Sequence, residues 1–174
     1  MAATAAVEEA TGAGPDWNEI TTARFNTDDE HDPSVTNPIP IPGAGTNYSY
    51  WKTWRVKFSG TYTQITNVKI YSDGGGYGTG ITTLVGDEVL TAGQYDQATG
   101  TSGTSGDYLT NHTAITAATD IFTYTSGSEK DVDTSALSGD PSYSNIVIVQ
   151  MGVTTTATQG TLSAETFTFI YDEI

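Results

Sequence analysis

The sequence predicts an all-β protein, an antiparallel β-sandwich of jelly-roll-like form with an extended N-terminal arm, and three observations predict it. Threonine is abundant, with tyrosine and valine behind it, and branched and aromatic side chains suit a pleated, half-buried surface. Nineteen Gly and six Pro punctuate the 174 residues with turn signals. Apolar residues recur at every second position in several runs, while no stretch carries a convincing helical period.

Each element follows from local grammar. Residues 1 to about 20 are Ala, Thr, Gly and Glu with little to bury, which predicts a flexible arm. Trp17 and Phe25 are its first large apolar groups, placed to anchor it on the body or on a neighbouring subunit. In "NPIPIPG", Pro38, Pro40 and Pro42 alternate with Ile39 and Ile41. Proline lacks the N–H that a central strand needs, so this segment runs extended along a sheet rim with its isoleucines packed inward. Residues 1–46 thus form an acidic, Pro-rich arm and extended segment, and 47–174 form the sandwich.

From Tyr50 the alternation is clear. Trp54, Val56, Phe58, Gly60 and Tyr62 fall on one face, and Thr53, Arg55, Lys57, Ser59 and Thr61 on the other. "ITNVKIYSDGG" repeats the theme with Val68 and Ile70 inward. A hairpin around "TQITN" would place Lys69 on the same outer face as Arg55 and Lys57. Short strands are expected at "ITTLV", "EVLTAGQY", "YLTNHTAITA" and "DIFTYTS", with a long polar loop at "GSEKDVDTSALSGDPS". "NIVIVQMGVTTTA" is apolar on both faces and should be the central, doubly buried strand. The last strand presents Phe167, Phe169 and Tyr171 to one side.

Charge excludes some functions. Six Lys and Arg oppose twenty-one Asp and Glu, a formal net charge of −15. Such a surface repels nucleic-acid phosphates and anionic membranes. No run reaches the roughly 18 apolar residues of a membrane span, and the N-terminus has neither the basic start nor the apolar core of a signal peptide. There is no cysteine, hence no disulfide and no thiolate chemistry.

No catalytic signature emerges. "SDGGGYGTG" lacks the Gly-Lys-Ser/Thr ending of a phosphate-binding loop and reads as a mobile hairpin tip. His31 and His112 have no partner histidine at metal-ligand spacing. The run "DDEHD" offers Asp28, Asp29, Glu30 and Asp32 as oxygen ligands for Ca²⁺, and Asp131 and Asp133 offer another pair, but neither has the glycine and closing glutamate of an EF-hand loop. A non-enzymatic role without an obligate cofactor is the expectation.

The remaining anomaly is electrostatic. Four of the six cations, Lys52, Arg55, Lys57 and Lys69, lie within eighteen residues beside Trp51. In so acidic a chain this predicts an electrostatic interface whose partner is the acidic loop or tail of a neighbouring copy, giving a homo-oligomer. Tyr50, Trp51 and Tyr77 supply an alternative reading as the sugar platform of a carbohydrate-binding adhesin.

Phe58, Gly60, Ile65, Asn67, Val68 and Lys69, with Gln150, Val153, Ala157, Gly160, Tyr171, Asp172 and Glu173, form a pattern that resembles small structural proteins in the virions of tailed double-stranded DNA viruses. The resemblance spans about 60 residues. It implies a β-rich accessory protein of the particle, localised to the virion. The role would be a decoration or cement protein on the major capsid protein, or a neck or tail accessory. It implies no catalytic residue. Trp17, Phe25, Ile39, Ile41, Trp51, Lys52, Arg55, Lys57 and Lys69 are then the expected interface.

Overall fold

A computed structural model describes residues 2–31 and 37–174. It is all-β, and every strand pairing is antiparallel. The chain enters through β1 (Thr4–Thr11) and β2 (Asp16–Ile20), then β3 (Thr46–Tyr48), β4 (Lys52–Ser59) and β5 (Ile65–Ser72). The middle contributes β6 (Ile81–Gly86), β7 (Gly100–Thr101), β8 (Ser105–Gly106) and β9 (Ala118–Asp120). The last part supplies β10 (Lys130–Asp133), β11 (Ser142–Tyr143), β12 (Val147–Thr154) and β13 (Phe167–Glu173).

A ten-stranded sheet runs β2-β1-β4-β12-β3-β8-β7, with β6 and β9 beyond β12 and β11 against β4. A three-stranded sheet, β10-β5-β13, faces it. This strand order does not confirm jelly-roll connectivity. Nor is the flexible arm confirmed, because residues 4–20 form a hairpin that extends the large sheet. β1 pairs with β4 from Thr4↔Ser59 to Ala10↔Thr53 and with β2 on its other side. Composition pointed elsewhere because two of this hairpin's four buried residues, Glu8 and Glu9, are charged. Glu8 and Glu9 are buried, and they are stable there only because β4 supplies their partners.

β12 behaves as its sequence requires. Val147 and Val149 face the small sheet, packed with Trp54, Val56 and Phe58 of β4 and with Ile65, Val68 and Ile70 of β5. Ile146 and Ile148 point the other way into a second cluster with Trp51, Leu90, Leu109 and Ile115. The coil and short 3-10 turns of residues 87–117 cover this second face. "EVLTAGQY" and "YLTNHTAITA", expected as strands, form those turns at Ala92–Gln94 and Leu109–Asn111, and "DIFTYTS" forms another at Ile121–Thr123. Each presents one or two apolar side chains to the core, which a short apolar run can do in a turn as well as in a strand. Conversely, β10 lies inside the expected polar loop.

β3 and β4 lie successively along one edge of β12, interrupted at Ser49 to Trp51. Gln150, fully buried, bridges this break by donating from Nε2 to the Ser49 and Asp107 carbonyls at 2.7 Å each. β4 and β5 do not pair as a hairpin. The chain crosses between the sheets through Gly60, whose φ of +102° is a left-handed conformation that disfavours a side chain.

Candidate functional site

The outer face of β4 explains where the cations go. Arg55 and Lys57 point outward, as alternation requires, but the hairpin of their own chain meets them. Arg55 Nη2 lies 2.6 Å from Glu8 Oε2. Its guanidinium carbon sits 3.9 Å from the Trp17 ring centre and 4.0 Å from that of Tyr143. Lys57 Nζ is 2.9 Å from Glu19 and 3.8 Å from Glu8, and the Glu19 hydrogen bond raises the lysine pKa. The register places Glu8 opposite Arg55, Ala6 opposite Lys57 and Glu19 opposite Glu8, so acidic and basic side chains interleave on one surface.

Lys52 is corrected more strongly. It is 1 % exposed, on the inner side of the hairpin, with Nζ 3.4 Å from Glu9 Oε1 and donating to the Glu30 carbonyl at 2.8 Å. Glu9 Oε2 accepts from Trp54 Nε1 at 2.8 Å. Burial raises the Glu9 pKa against the lowering effects of Lys52, Trp54 and His31. Lys69 lies on the other sheet, 3.6 Å from Asp131 and remote from the β4 cations, because β5 pairs with β10 and β13. Lys52 and Lys69 therefore belong to no common cationic face with Arg55.

Trp51 is 3 % exposed, packed edge-on against His112 at 5.7 Å with Nε1 donating to the Asp96 carbonyl, and Tyr50 is 9 % exposed. Both are core, so the sugar platform they were expected to form is buried. Trp17 anchors the hairpin through Arg55. Phe25 packs on Trp54 with ring centres 6.3 Å apart. Ile39 is half-buried over a second groove of about 740 Å³ shared with Met151 and Val153, and Ile41 stays 39 % exposed at its rim.

In the "DDEHD" run, Asp28 and Asp29 are spent on internal bonds. Asp28 accepts from Asn37 Nδ2 and Ser102 Oγ. Asp29 accepts from the Gly12 N–H at 2.9 Å and Gln97 Nε2 at 2.8 Å, tying the β1–β2 turn to the loop before β7. Glu30 is exposed and offers its carbonyl to Lys52. Asp32 lies outside the described residues. Among the described residues no group of three or more His, Cys, Asp or Glu could hold a metal ion. Asp133 accepts from Ser135 and from the Asn145 N–H.

Besides the groove beneath Ile39, a cleft of about 330 Å³ stands open between the hairpin and the small sheet. At one end of the sandwich the two layers are tied, with Glu173 accepting from the Ala3 N–H at 3.0 Å. At the other end they diverge. Val7 and Ile20 form one wall, Phe167 and Phe169 the other, and Phe25 and Trp54 the floor. Glu165 and Tyr77 enter at the rim. Asp73 accepts from the backbone N–H of Gly75 at 3.1 Å and of Thr166 at 3.4 Å. Burial, then Asp73, raises the Glu165 pKa, and the same burial with two acidic neighbours pushes Tyr77 up to about 12.

This cleft was not visible in the sequence. Phe167 and Phe169 read as core, which they half are, and nothing local shows that Glu165 meets Asp73 some ninety residues earlier. No family model, curated protein or solved structure matches this chain. Among the described residues no helix is long and apolar enough to cross a membrane.

Proposed function

We propose that this protein is a non-enzymatic structural subunit of a virus particle, a decoration or cement protein that docks on the major capsid lattice and reinforces it. The observation that carries this reading is the cleft between β2 and β13. Among the described residues each of these strands pairs with another strand on one side only, and Ile20 of β2 and Phe167 and Phe169 of β13 line an apolar trough. Free edges and open apolar surface are what a protein keeps when another chain is to cover them.

The resemblance to small structural proteins of tailed-virus virions adds support, because its two halves are spatial neighbours. Phe58 stacks edge-on with Tyr171 at 4.8 Å, and Asn67 Nδ2 donates to Asp172 Oδ2 at 2.7 Å. These contacts join the part of the pattern on β4, β5 and β13; Gln150 and Val153 lie on β12, and Ala157 and Gly160 lie in the loop after it. A subunit that binds only the assembled shell stabilises it by mass action.

Mass spectrometry of purified particles, with copy number, tests the reading. A stoichiometry close to that of the major capsid protein is expected. Very few copies per particle would move the protein to the neck or tail, and its absence from particles would overturn the virion reading.

A further inference from the structure

Glu9 and Thr11 stand two positions apart on β1 and therefore share a face, and His31 lies across both. The His31 Nε2 is 3.1 Å from Thr11 Oγ1, and its Nδ1 faces Glu9 Oε1 at 3.9 Å. Both Nδ1 and Oε1 are buried, and among the described residues neither makes a hydrogen bond. A carboxylate opposite Nδ1 favours the proton on that nitrogen, which leaves the Nε2 lone pair to accept from the Thr11 hydroxyl. Lys52 Nζ, 3.4 Å from the same Glu9 oxygen, favours the ionised carboxylate. Hydroxyl, imidazole and carboxylate in this order are the parts of an activated nucleophile.

The electrophile has to come from the protein itself. Thr11 is 8 % exposed and lines neither the cleft nor the groove, so a substrate from solution has no approach to it. The Gln97 carboxamide is held beside this hydroxyl. Asp29 Oδ2 accepts from the N–H of Gly12, the residue after Thr11, at 2.9 Å and from Gln97 Nε2 at 2.8 Å. Tyr95 Oη donates to the Gly12 carbonyl at 2.7 Å, so residues 95–97 are tied to both polar groups of Gly12.

We infer that Thr11 and Gln97 join in an internal ester, which the folded chain forms once on itself. His31 Nε2 takes the Thr11 proton as Oγ1 attacks Gln97 Cδ, and Glu9 steadies the resulting imidazolium through Nδ1. The Cδ–Nε2 bond then breaks, the imidazolium returns its proton to the leaving nitrogen, and ammonia departs. No oxidant, metal or added reactant is needed. An amide is ordinarily inert to a hydroxyl in water. Two groups fixed side by side react at effective molarities of roughly 10⁵ M and above, which offsets that inertness. Loss of ammonia to solvent keeps the reaction from reversing. The link closes a covalent ring from β1 to the segment before β7 and staples the N-terminal hairpin to the body. It suits a structural subunit but does not depend on which particle the protein serves.

The test is the intact mass of the full chain after incubation at neutral pH, followed by peptide mapping. A loss of about 17 Da, one ammonia, is expected, with Thr11 and Gln97 recovered in a single linked peptide that alkaline hydroxylamine cleaves. Thr11→Val, Gln97→Ala and His31→Ala should each keep the full mass of their sequences, and Thr11→Ser should show the loss again. Glu9→Gln/Lys52→Met removes the buried ion pair as a unit, so it tests Glu9 in the reaction apart from its place in the fold. Followed in time after cell-free synthesis, that variant should form the link about a hundredfold more slowly or worse. Full mass in the unaltered chain would overturn the inference. So would a loss mapped to other residues, as an asparagine succinimide would be, or one that persists in Thr11→Val.

Discussion

Glu9 and Lys52 meet inside the protein, Oε1 to Nζ at 3.4 Å, with side chains 1 % and 2 % exposed. Each has a further neutral partner, the Trp54 indole N–H for Glu9 and the Glu30 carbonyl for Lys52. Removing one member of such a pair leaves the other charge buried and uncompensated, whereas removing both charges is nearly neutral. Lys52→Met should therefore destabilise by about 3–5 kcal/mol. The double variant Glu9→Gln/Lys52→Met, which keeps an acceptor for Trp54, should recover most of that loss in urea unfolding. The loss in Lys52→Met should also shrink on acidification. Burial already raises the Glu9 pKa, so the stability this group contributes is present below its ordinary value near 4.5 and lost as pH rises through the raised one.

His112 supplies a test at higher pH. It is 1 % exposed, Nδ1 accepts from the Ala114 N–H at 3.2 Å, and burial lowers its pKa below 6.5 against the pull of Asp96 and Glu88. Its neutral form therefore adds stability above pH 6.5 that is lost as pH falls toward the folded value. His112→Asn should be less stable than the parent at pH 7.5, and the gap in unfolding midpoint should narrow at pH 5. A constant gap would mean that the ring is not held neutral.

Asn67 sits in the middle of β5 with φ of +54°, in the left-handed region. Its amide bonds Asp172 where the β5–β13 register shifts between Ile170 and Asp172. A left-handed conformation costs most residues with a side chain roughly 1–2 kcal/mol but is tolerated by asparagine, and the hydrogen bond is worth about 1 kcal/mol. Asn67→Gly should lose only the bond, while Asn67→Ala should lose the bond and add the strain. Glycine should be the milder substitution in thermal melts.

Ionic strength should separate the two faces of the hairpin. Arg55, Lys57 and Glu19 reach solvent, so their pairs with each other and with the buried Glu8 are screened by salt, whereas Glu9 and Lys52 are buried together and are not. Arg55→Gln is expected to destabilise more at 20 mM salt than at 1 M, both through Glu8 and through the lost stacking on Trp17 and Tyr143. Lys52→Met should show nearly the same penalty at both.

Alternation was legible where a strand has one wet face. From Trp54 to Ser59 the burial pattern follows the sequence, and the doubly apolar run at Val147–Val153 is the doubly buried strand. Legibility failed where a buried position is filled by a charge. Glu8, Glu9 and Lys52 read as solvated residues because the ion pairs Glu9–Lys52 and Glu8–Arg55 join positions more than forty residues apart. Pairing was hidden as well. Val68 and Ile70 identify β5 as a strand, but nothing in "TQITN" shows that the chain changes sheets there. The cleft was illegible for the same reason, since it exists only between elements from the two ends of the chain.

The cationic face was expected to await a neighbouring copy and instead receives its own hairpin, and strand geometry allows this to be measured. Thr4 and Ser59 are cross-strand partners of β1 and β4, and the chain has no native cysteine. Thr4→Cys/Ser59→Cys should oxidise to a monomer closed within one chain, seen by intact mass and on a non-reducing gel at low protein concentration. Disulfide-linked dimers, or thiols that stay free under mild oxidant, would contradict docking of the hairpin on its own chain.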